Sequence, residues 1–254
     1  MKVSFLGTGT SQGVPIIACN CAVCQSNDPR DKRLRSSVLV EKNGFQIVID
    51  TGPDFRQQML REKIEKLDAV VFTHEHKDHT AGFDDIRGFN WREKKPMEVY
   101  GNKNVELALK RDFHYAFGEI KYPGVPKLNL HVIDKKPFKI GPLEIRPIEV
   151  MHYKLSVLGF RIEDFTYITD ANYISDSEKE KIKGSRVLVL NALKKSEHIS
   201  HFSLDEAIDL AKELEVEKTY FTHISHQMGF HSEVSEDLPQ DIELAYDELQ
   251  IFID

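Results

Sequence analysis

Within six positions, His74-Glu-His-Lys-Asp-His79, the chain carries three histidines and an aspartate, directly after the apolar run Val70-Val-Phe-Thr73. Imidazole and carboxylate at that density are metal-binding chemistry. In an extended segment, positions 74 and 76 project to one side, so His74 and His76 can chelate one ion just past a strand. Asp78 and His79 follow, before Gly82, where a turn could aim them at a second ion. Four ligands packed this closely favour two neighbouring ions over one. The zinc-protease pattern that also begins with His-Glu fails, because its second histidine belongs at position 78, which is Asp. Each ion remains under-coordinated, so further ligands are required from elsewhere, a bridging carboxylate among them.

A second group is formed by Cys19, Cys21 and Cys24, which are all the cysteines of the chain. An odd, clustered set without a secretion signal points to a metal before disulfides. Three thiolates need a fourth protein ligand to close a structural zinc tetrahedron, and His226, three residues after His223, is the candidate. By contrast, Gly7, Gly9 and Gly13 miss the dinucleotide spacing by one residue and no Gly-Lys-Ser/Thr occurs, so no nucleotide fingerprint is present.

Positioning these side chains falls to short β-type runs that each end in a polar residue. They are Gln46–Asp50, Ala69–His74, Ile145–His152, Thr166–Asp170 and Lys218–His223. Helical patterns fall between them, at about Phe55–Leu67, Val105–Phe117, Asp176–Lys183 and Leu204–Leu214. The last has a capping-box pattern in Ser203 and Glu206, with Leu204, Ala207, Ile208, Ala211 and Leu214 at helical spacing. Strands alternating with helices predict an α/β fold in which side chains at the carboxyl ends of neighbouring strands share one sheet edge. His152, Asp170 and His223 stand at such ends. Each could equally be a turn or surface residue; as ligands they are suitably placed to complete the cluster.

The chain has 254 residues, 41% hydrophobic and 30% charged, the composition of a globular protein. No linker, repeat or low-complexity tract divides it, which predicts one domain over residues 1–254. Its start, Met1 to Thr10, has only a short apolar run that stops at glycines, and nothing later could span a bilayer, which predicts a cytoplasmic protein without a membrane partner. A formal net charge of −7 argues against a nucleic-acid partner.

His74-x-His76-x-Asp78-His79 followed by His152, Asp170 and His223 resembles the metallo-β-lactamase superfamily, and the likeness covers nearly the whole chain, including Phe5 to Thr10 and the Asp50-Thr-Gly52 turn. The resemblance implies a four-layer αβ/βα sandwich, two mixed sheets flanked by helices. It implies that His74, His76 and His152 bind one divalent cation, Mn2+ or Zn2+, that Asp78, His79 and His223 bind another, and that Asp170 bridges them. Two ions about 3.5–4 Å apart can hold a bridging hydroxide at neutral pH, so hydrolysis is the expected reaction. Asp50 is expected to orient a ligand or its loop, or simply to shape its turn.

The cysteine loop and His226, as a site for one structural Zn2+, narrow the likeness to the phosphoribosyl 1,2-cyclic phosphate phosphodiesterase family. Gly7 to Pro15, Arg33-Leu-Arg-Ser-Ser37 and Leu238 to Asp247 fit the same family. The expected substrate is a small phosphorylated sugar or cyclic nucleotide. His201, two residues before the helix N-cap Ser203, matches the family's general acid, and Asp78 belongs to the catalytic set as well as to the ligands. Arg33 and Arg35 suit either a terminal phosphate or structural ion pairs. Two positions depart from the family: Asn191, where some relatives have an acidic residue, and Glu248, where glycine is common. The competing readings are a tRNA 3′-end endonuclease, for which the segment Lys110–Lys127 is short and mixed beside the usual basic arm, and a non-catalytic metal-binding relative of the pyrroloquinoline quinone biosynthesis protein. A glyoxalase-type thiolesterase would not be expected to carry the cysteine loop.

Overall fold

Apolar side chains alternate along the strands, and each face meets a different core. In the computed structural model, which describes residues 1–118 and 123–253, Phe5, Val38, Val40, Ile47, Ile49 and Val71 enter one core, while Leu6, Leu39, Val48 and Val70 enter another with Phe55, Met59, Val105 and Leu109 from helices Phe55–Arg61 and Lys103–Asp112. The first core also takes Ile145, Phe160, Tyr167 and Val189 from a second sheet. The alternate residues of that sheet, Ile148, Val150, Leu188 and Leu190, join a third core with helix Leu204–Leu214. Two sheets face to face with helices outside each are the four-layer αβ/βα sandwich. Each fully buried side chain of this kind contributes about 1.5–3 kcal/mol.

One seven-stranded sheet runs in the spatial order Gln250–Phe252, Lys2–Gly7, Ser37–Lys42, Phe45–Ile49, Ala69–Val71, Met97–Gly101, Leu128–Val132. The other runs Ile242–Leu244, Lys218–Thr222, Val187–Asn191, Phe165–Tyr167, Leu155–Ile162, Leu143–His152, Phe138–Ile140. Both are mixed. Phe45–Ile49 and Ala69–Val71 are parallel, as are Phe165–Tyr167, Val187–Asn191 and Lys218–Thr222, so the residues that follow these strands gather at shared edges.

The elements differ from the sequence expectation chiefly at their ends. The strand expected to run to His74 stops at Val71, and that expected to reach Asp170 stops at Tyr167. Asp50, Asp170 and His223 sit just beyond their strands with left-handed backbone (φ 66°, 57° and 56°), which no strand can contain. The helix from Phe55 ends at Arg61, before left-handed Lys63, and the Val105–Phe117 pattern divides into Lys103–Asp112 and His114–Phe117. Helix Leu204–Leu214 has the expected bounds and capping box. Part of the Lys110–Lys127 segment lies outside the described residues. Among the described residues no helix is long and apolar enough to cross a membrane.

Candidate metal centre

The turn after strand Phe45–Ile49 holds the His74–His79 loop by backbone contact. Thr51 N–H donates to the His79 carbonyl (2.8 Å) and Gly82 N–H to the Thr51 carbonyl (2.9 Å). A Cβ on Gly52 would lie 2.2 Å from the Asp78 carbonyl oxygen, and one on Gly82 would lie 2.1 Å from that of Gly52, so both positions exclude any side chain. Lys77–Thr80 forms a single helical turn that carries Asp78 and His79, and the His79 ring comes to 4.2 Å from that of His74.

The expected ligands come together. The His74 and His76 rings lie 4.6 Å apart, and His152 stands 5.9 and 5.2 Å from them. His79 Nε2 is 3.2 Å from both Asp78 Oδ2 and Asp170 Oδ2, and Asp170 Oδ2 is 3.2 Å from His223 Nδ1. Asp170 thus stands between the two groups: its carboxylate clusters with His74 and His79, with Asp78 and His223, and with His152 and His201.

Whether ions fit here can be judged from nitrogen atoms that have nothing else to do. His74 Nε2 is buried with no hydrogen-bond partner, and His79 Nε2, though 3.2 Å from two carboxylate oxygens, makes no well-formed hydrogen bond, an arrangement that costs free energy unless a ligand completes it. The opposite ring nitrogens are occupied. His74 Nδ1 meets Thr73 Oγ1 (2.9 Å), His79 Nδ1 meets Asp50 Oδ2 (2.7 Å), and His152 Nδ1 donates to the Ser200 carbonyl (2.8 Å). Fixing one nitrogen in this way points the other at the cluster, the usual arrangement around metal-ligating imidazoles. The residues therefore suit divalent cations. Asp50, fully buried, is itself held by the N–H and hydroxyl of Thr73 (both 2.8 Å).

Electrostatics in the ion-free chain agree. Burial pushes His74 well below its ordinary value, helped by His79. For His79 burial acts downward too, but Asp170, Asp78 and Asp50 outweigh it and hold the imidazole well above its usual range. Burial would raise Asp170; His223 and His79 outweigh it, and the carboxyl stays well below its usual range. Three carboxylates around one imidazole demand positive charge at this point.

His201 adjoins the cluster. Its ring stacks on His223 (4.9 Å), lies 4.6 Å from His152, and has a buried, unpartnered Nδ1 3.8 Å from Asp170 Oδ1. Burial, then the neighbouring His223, pushes it down to about 3, so it is neutral in the ion-free chain. Geometry alone would also let His201 serve as a ligand with His152 and Asp170.

The cysteine loop meets His226 across the fold. Cys19, Cys21 and Cys24 Sγ lie 3.4, 3.2 and 3.6 Å from His226 Nδ1. Ligands at tetrahedral zinc distances would stand about 3.5 Å apart, sulfur to nitrogen, which these spacings match. Cys24 N–H donates to Cys21 Sγ (3.4 Å), which with His226 lowers the Cys21 thiol to about 6, while burial raises Cys24 to about 11.

Arg33 and Arg35 do not reach the cluster as phosphate ligands. Arg33 is buried and donates to Thr8 Oγ1 (2.8 Å) and the Ala245 carbonyl (2.6 Å), with His231 Nδ1 at 3.1 Å. Arg35 pairs with Asp54 (3.0 Å) and donates to the Ser11 carbonyl (3.2 Å). Both departures from the family have structural explanations. Asn191 donates to the Ala171 carbonyl (2.9 Å) and accepts from Ala171 N–H (2.7 Å), clamping the residue after Asp170; a carboxylate could only accept. Glu248 has φ 74°, a conformation that favours glycine.

Sequence reasoning did not find the Asn191 clamp, the Thr73 support of Asp50, or Asp247, which accepts from Thr8 N–H and Oγ1–H, Leu34 N–H and Arg61. Asn191 carried a usable signal: it ends an apolar strand in the same position that precedes the turns holding Asp170 and His223.

Residues 46–224 match the family model described as a beta-lactamase superfamily domain. A solved diphosphatase of the PhnP family superposes with a TM-score of 0.93 at 38% identity, covering 100% of this chain and 98% of that one. Zn2+-bound PqqB from Methylobacterium extorquens shares the fold, with a TM-score of 0.81 at 18% identity over the whole of both chains. A Porphyromonas gingivalis protein named octanoyltransferase is 40% identical over 257 residues, 100% of this chain but 52% of the relative, so the chain spans about half the length of that protein.

Proposed function

The chain belongs to the beta-lactamase superfamily and to the PhnP family within it, as a metal-dependent hydrolase, and from that premise we propose that it cleaves a small cyclic phosphodiester such as 5-phosphoribosyl 1,2-cyclic phosphate. In this reading His74, His76 and His152 hold one divalent cation, Asp78, His79 and His223 a second, with Asp170 between them, and residues 1–254 act as one hydrolase unit. Cys19, Cys21, Cys24 and His226 hold a structural zinc. When bound, the active-site cations supply Lewis acidity and a water made nucleophilic at neutral pH.

The chain's own residues do the remaining work. Asp50 and the Ser200 carbonyl fix the tautomers of His79 and His152, so that the ligand face is set before substrate arrives. Asn191 holds the turn of Asp170. Opening a cyclic phosphodiester releases an alkoxide that needs a proton, and His201, which burial keeps neutral in the ion-free chain, is assigned to deliver it once the bound phosphate favours its imidazolium form. The observation that carries this reading is His201 itself: a buried imidazole beside His152 and His223, outside the seven proposed ligands, with a nitrogen that nothing in the fold employs.

The activity named for the Porphyromonas protein belongs to a chain about twice as long as this one and is not carried over to it. A side-by-side assay with Mn2+ on 5-phosphoribosyl 1,2-cyclic phosphate, 2′,3′-cyclic nucleotides, precursor tRNA and a glutathione thioester tests the proposal. Preferential turnover of a cyclic phosphodiester supports it; preference for tRNA or the thioester replaces it with the corresponding nuclease or thiolesterase reading.

A further inference from the structure

The loop Gly7-Thr-Gly-Thr10 carries no nucleotide fingerprint, yet the fold holds it fast beside the metal centre. On one flank Gly9 N–H donates to the Leu34 carbonyl (2.7 Å), and the Gly9 carbonyl accepts from the N–H (3.0 Å) and hydroxyl (2.9 Å) of Ser36. On the other, Thr10 N–H donates to the Ile224 carbonyl (3.1 Å) and Ile224 N–H to the Thr8 carbonyl (2.8 Å). The close approach needs both glycines: a Cβ on Gly7 would lie 2.0 Å from the Arg35 carbonyl oxygen, and one on Gly9 2.9 Å from that of Arg33. The loop is thus gripped between the Arg33–Ser37 run and the residue after His223, with Thr10 buried against that histidine.

Thr10 Oγ1 lies 3.2 Å from His223 Nε2. The other ring nitrogen faces the centre: Nδ1 is 3.2 Å from Asp170 Oδ2, and Thr169 Oγ1, which donates to that same oxygen (2.7 Å), stands 3.4 Å from it. In His74, His79 and His152 the nitrogen tied to the protein is Nδ1. In His223 the order is reversed. A neutral imidazole has one N–H, and here two acceptors compete for it, the Asp170 carboxylate at Nδ1 and the Thr10 hydroxyl at Nε2. A proton on Nδ1 blocks that nitrogen as a ligand; a proton on Nε2 frees it, but then needs a buried partner.

We propose that Thr10 is a positioning residue for His223: its hydroxyl accepts from Nε2–H and so stabilises the tautomer whose Nδ1 is free for the second cation, beside Asp78 and Asp170. The glycine loop is the mount for that hydroxyl. This rests on the assignment of His223 as a ligand, and it holds whichever substrate the centre takes. In the ion-free chain the proton can sit between Nδ1 and Asp170, so the hydroxyl is needed chiefly when the ion is bound. Its removal should therefore weaken the second cation by about ten- to a hundredfold, the usual cost of losing such a partner, with little effect on the ion-free fold.

The test measures ion binding, so that it stands apart from turnover. Mn2+ titrated into chelator-treated protein, with the free ion followed by electron paramagnetic resonance, should show one of two ring-cluster sites weakened in Thr10→Val, the other site and the denaturation midpoint of the ion-free chain unchanged, and both sites restored in Thr10→Ser. Long-range 1H–15N correlation on the zinc-loaded protein should show His223 protonated at Nε2 and bound to metal through Nδ1. Equal Mn2+ affinity in Thr10→Val, or coordination of His223 through Nε2, overturns the proposal. His223→Ala separates the two levels: if it removes one ion while Thr10→Val removes none, only the role of Thr10 falls, and if both ions survive it, the ligand assignment falls and the role of Thr10 with it.

Discussion

The two proposed metal sites are built by opposite means. The ring cluster is drawn from loops after strands of both sheets, is largely buried, and has its imidazoles fixed from behind by Asp50, Thr73 and the Ser200 carbonyl. The cysteine site comes from one short loop and one distant histidine; Cys19, Cys21 and His226 are half-exposed, and only Cys24 is buried. The first is shaped by the fold whether or not ions are present. The second has few bonds other than its own to hold it, so an ion there acts as part of the fold. Preorganisation thus resides where chemistry is proposed, and metal-dependent stability where structure is.

The largest expected effect separates the sites by activity. His201→Ala should lower kcat on a phosphodiester with a poor leaving group by about two to four orders of magnitude, with metal content unchanged by elemental analysis. An unchanged rate removes His201 as the acid, and a lost ion makes it a ligand instead. His226→Ala should reverse that pattern, releasing the proposed structural zinc and lowering stability by about 3 kcal/mol or more in denaturant titration while the ring cluster keeps its ions. Untouched zinc content and stability would mean the fourth ligand is elsewhere.

Acid should weaken the backing of the cysteine loop. His231 N–H donates to Asp31 Oδ1 (2.7 Å) and its ring meets Arg33; burial first, and then Arg33 and Arg30, push the imidazole down to about 4. Because the folded value lies below the ordinary 6.5, the unfolded chain binds the proton more readily, so this contribution is complete above pH 6.5 and is lost as pH falls towards 4. At about 1.4 kcal/mol for each tenfold change in proton affinity the loss is at most about 3 kcal/mol. His231→Asn should flatten the stability profile over that window, and an unaltered slope would assign it to other groups. The smallest effect is expected at the ring cluster's support: Asn191→Ala leaves the Ala171 N–H unpaired while its carbonyl keeps the Phe202 N–H (2.8 Å), at about 1–3 kcal/mol, and should weaken ion binding without changing which substrate is preferred. An equal loss of stability with ion affinity intact would make Asn191 a folding residue alone.

The density of ligands at His74–His79 and the polar ends of apolar runs made the shared sheet edge legible before any coordinates. Those signals are local: a two-residue period and a cluster within one turn. The alternation in Phe5/Leu6 and Val38/Leu39 likewise carries the layering, because each strand of a sandwich must satisfy two cores. What stayed hidden depends on which backbone lies across the sheet. Asn191 looks like a lost carboxylate until Ala171 is seen beside it, and Arg33 looks like a phosphate ligand until Thr8, Ala245 and His231 surround it. Left-handed backbone at Asp50, Asp170 and His223 leaves no mark either, since none is glycine, and it displaced the predicted strand ends.

The long separation between Cys24 and His226, 202 residues, has a consequence for biosynthesis. The three thiols leave the ribosome well before the histidine that would complete their tetrahedron. Strand Lys2–Gly7 waits similarly for Gln250–Phe252, its neighbour in the sheet. Contacts this distant along the chain pay their loop-closure entropy before they return any stabilisation, so both pairings form after the intervening chain is complete. Until the intervening chain is made, the nascent protein carries an unclosed trio of cysteines, open to oxidation or to the wrong metal, and with the proposed zinc its yield of correctly loaded molecules would depend on the reducing power and zinc supply around the ribosome.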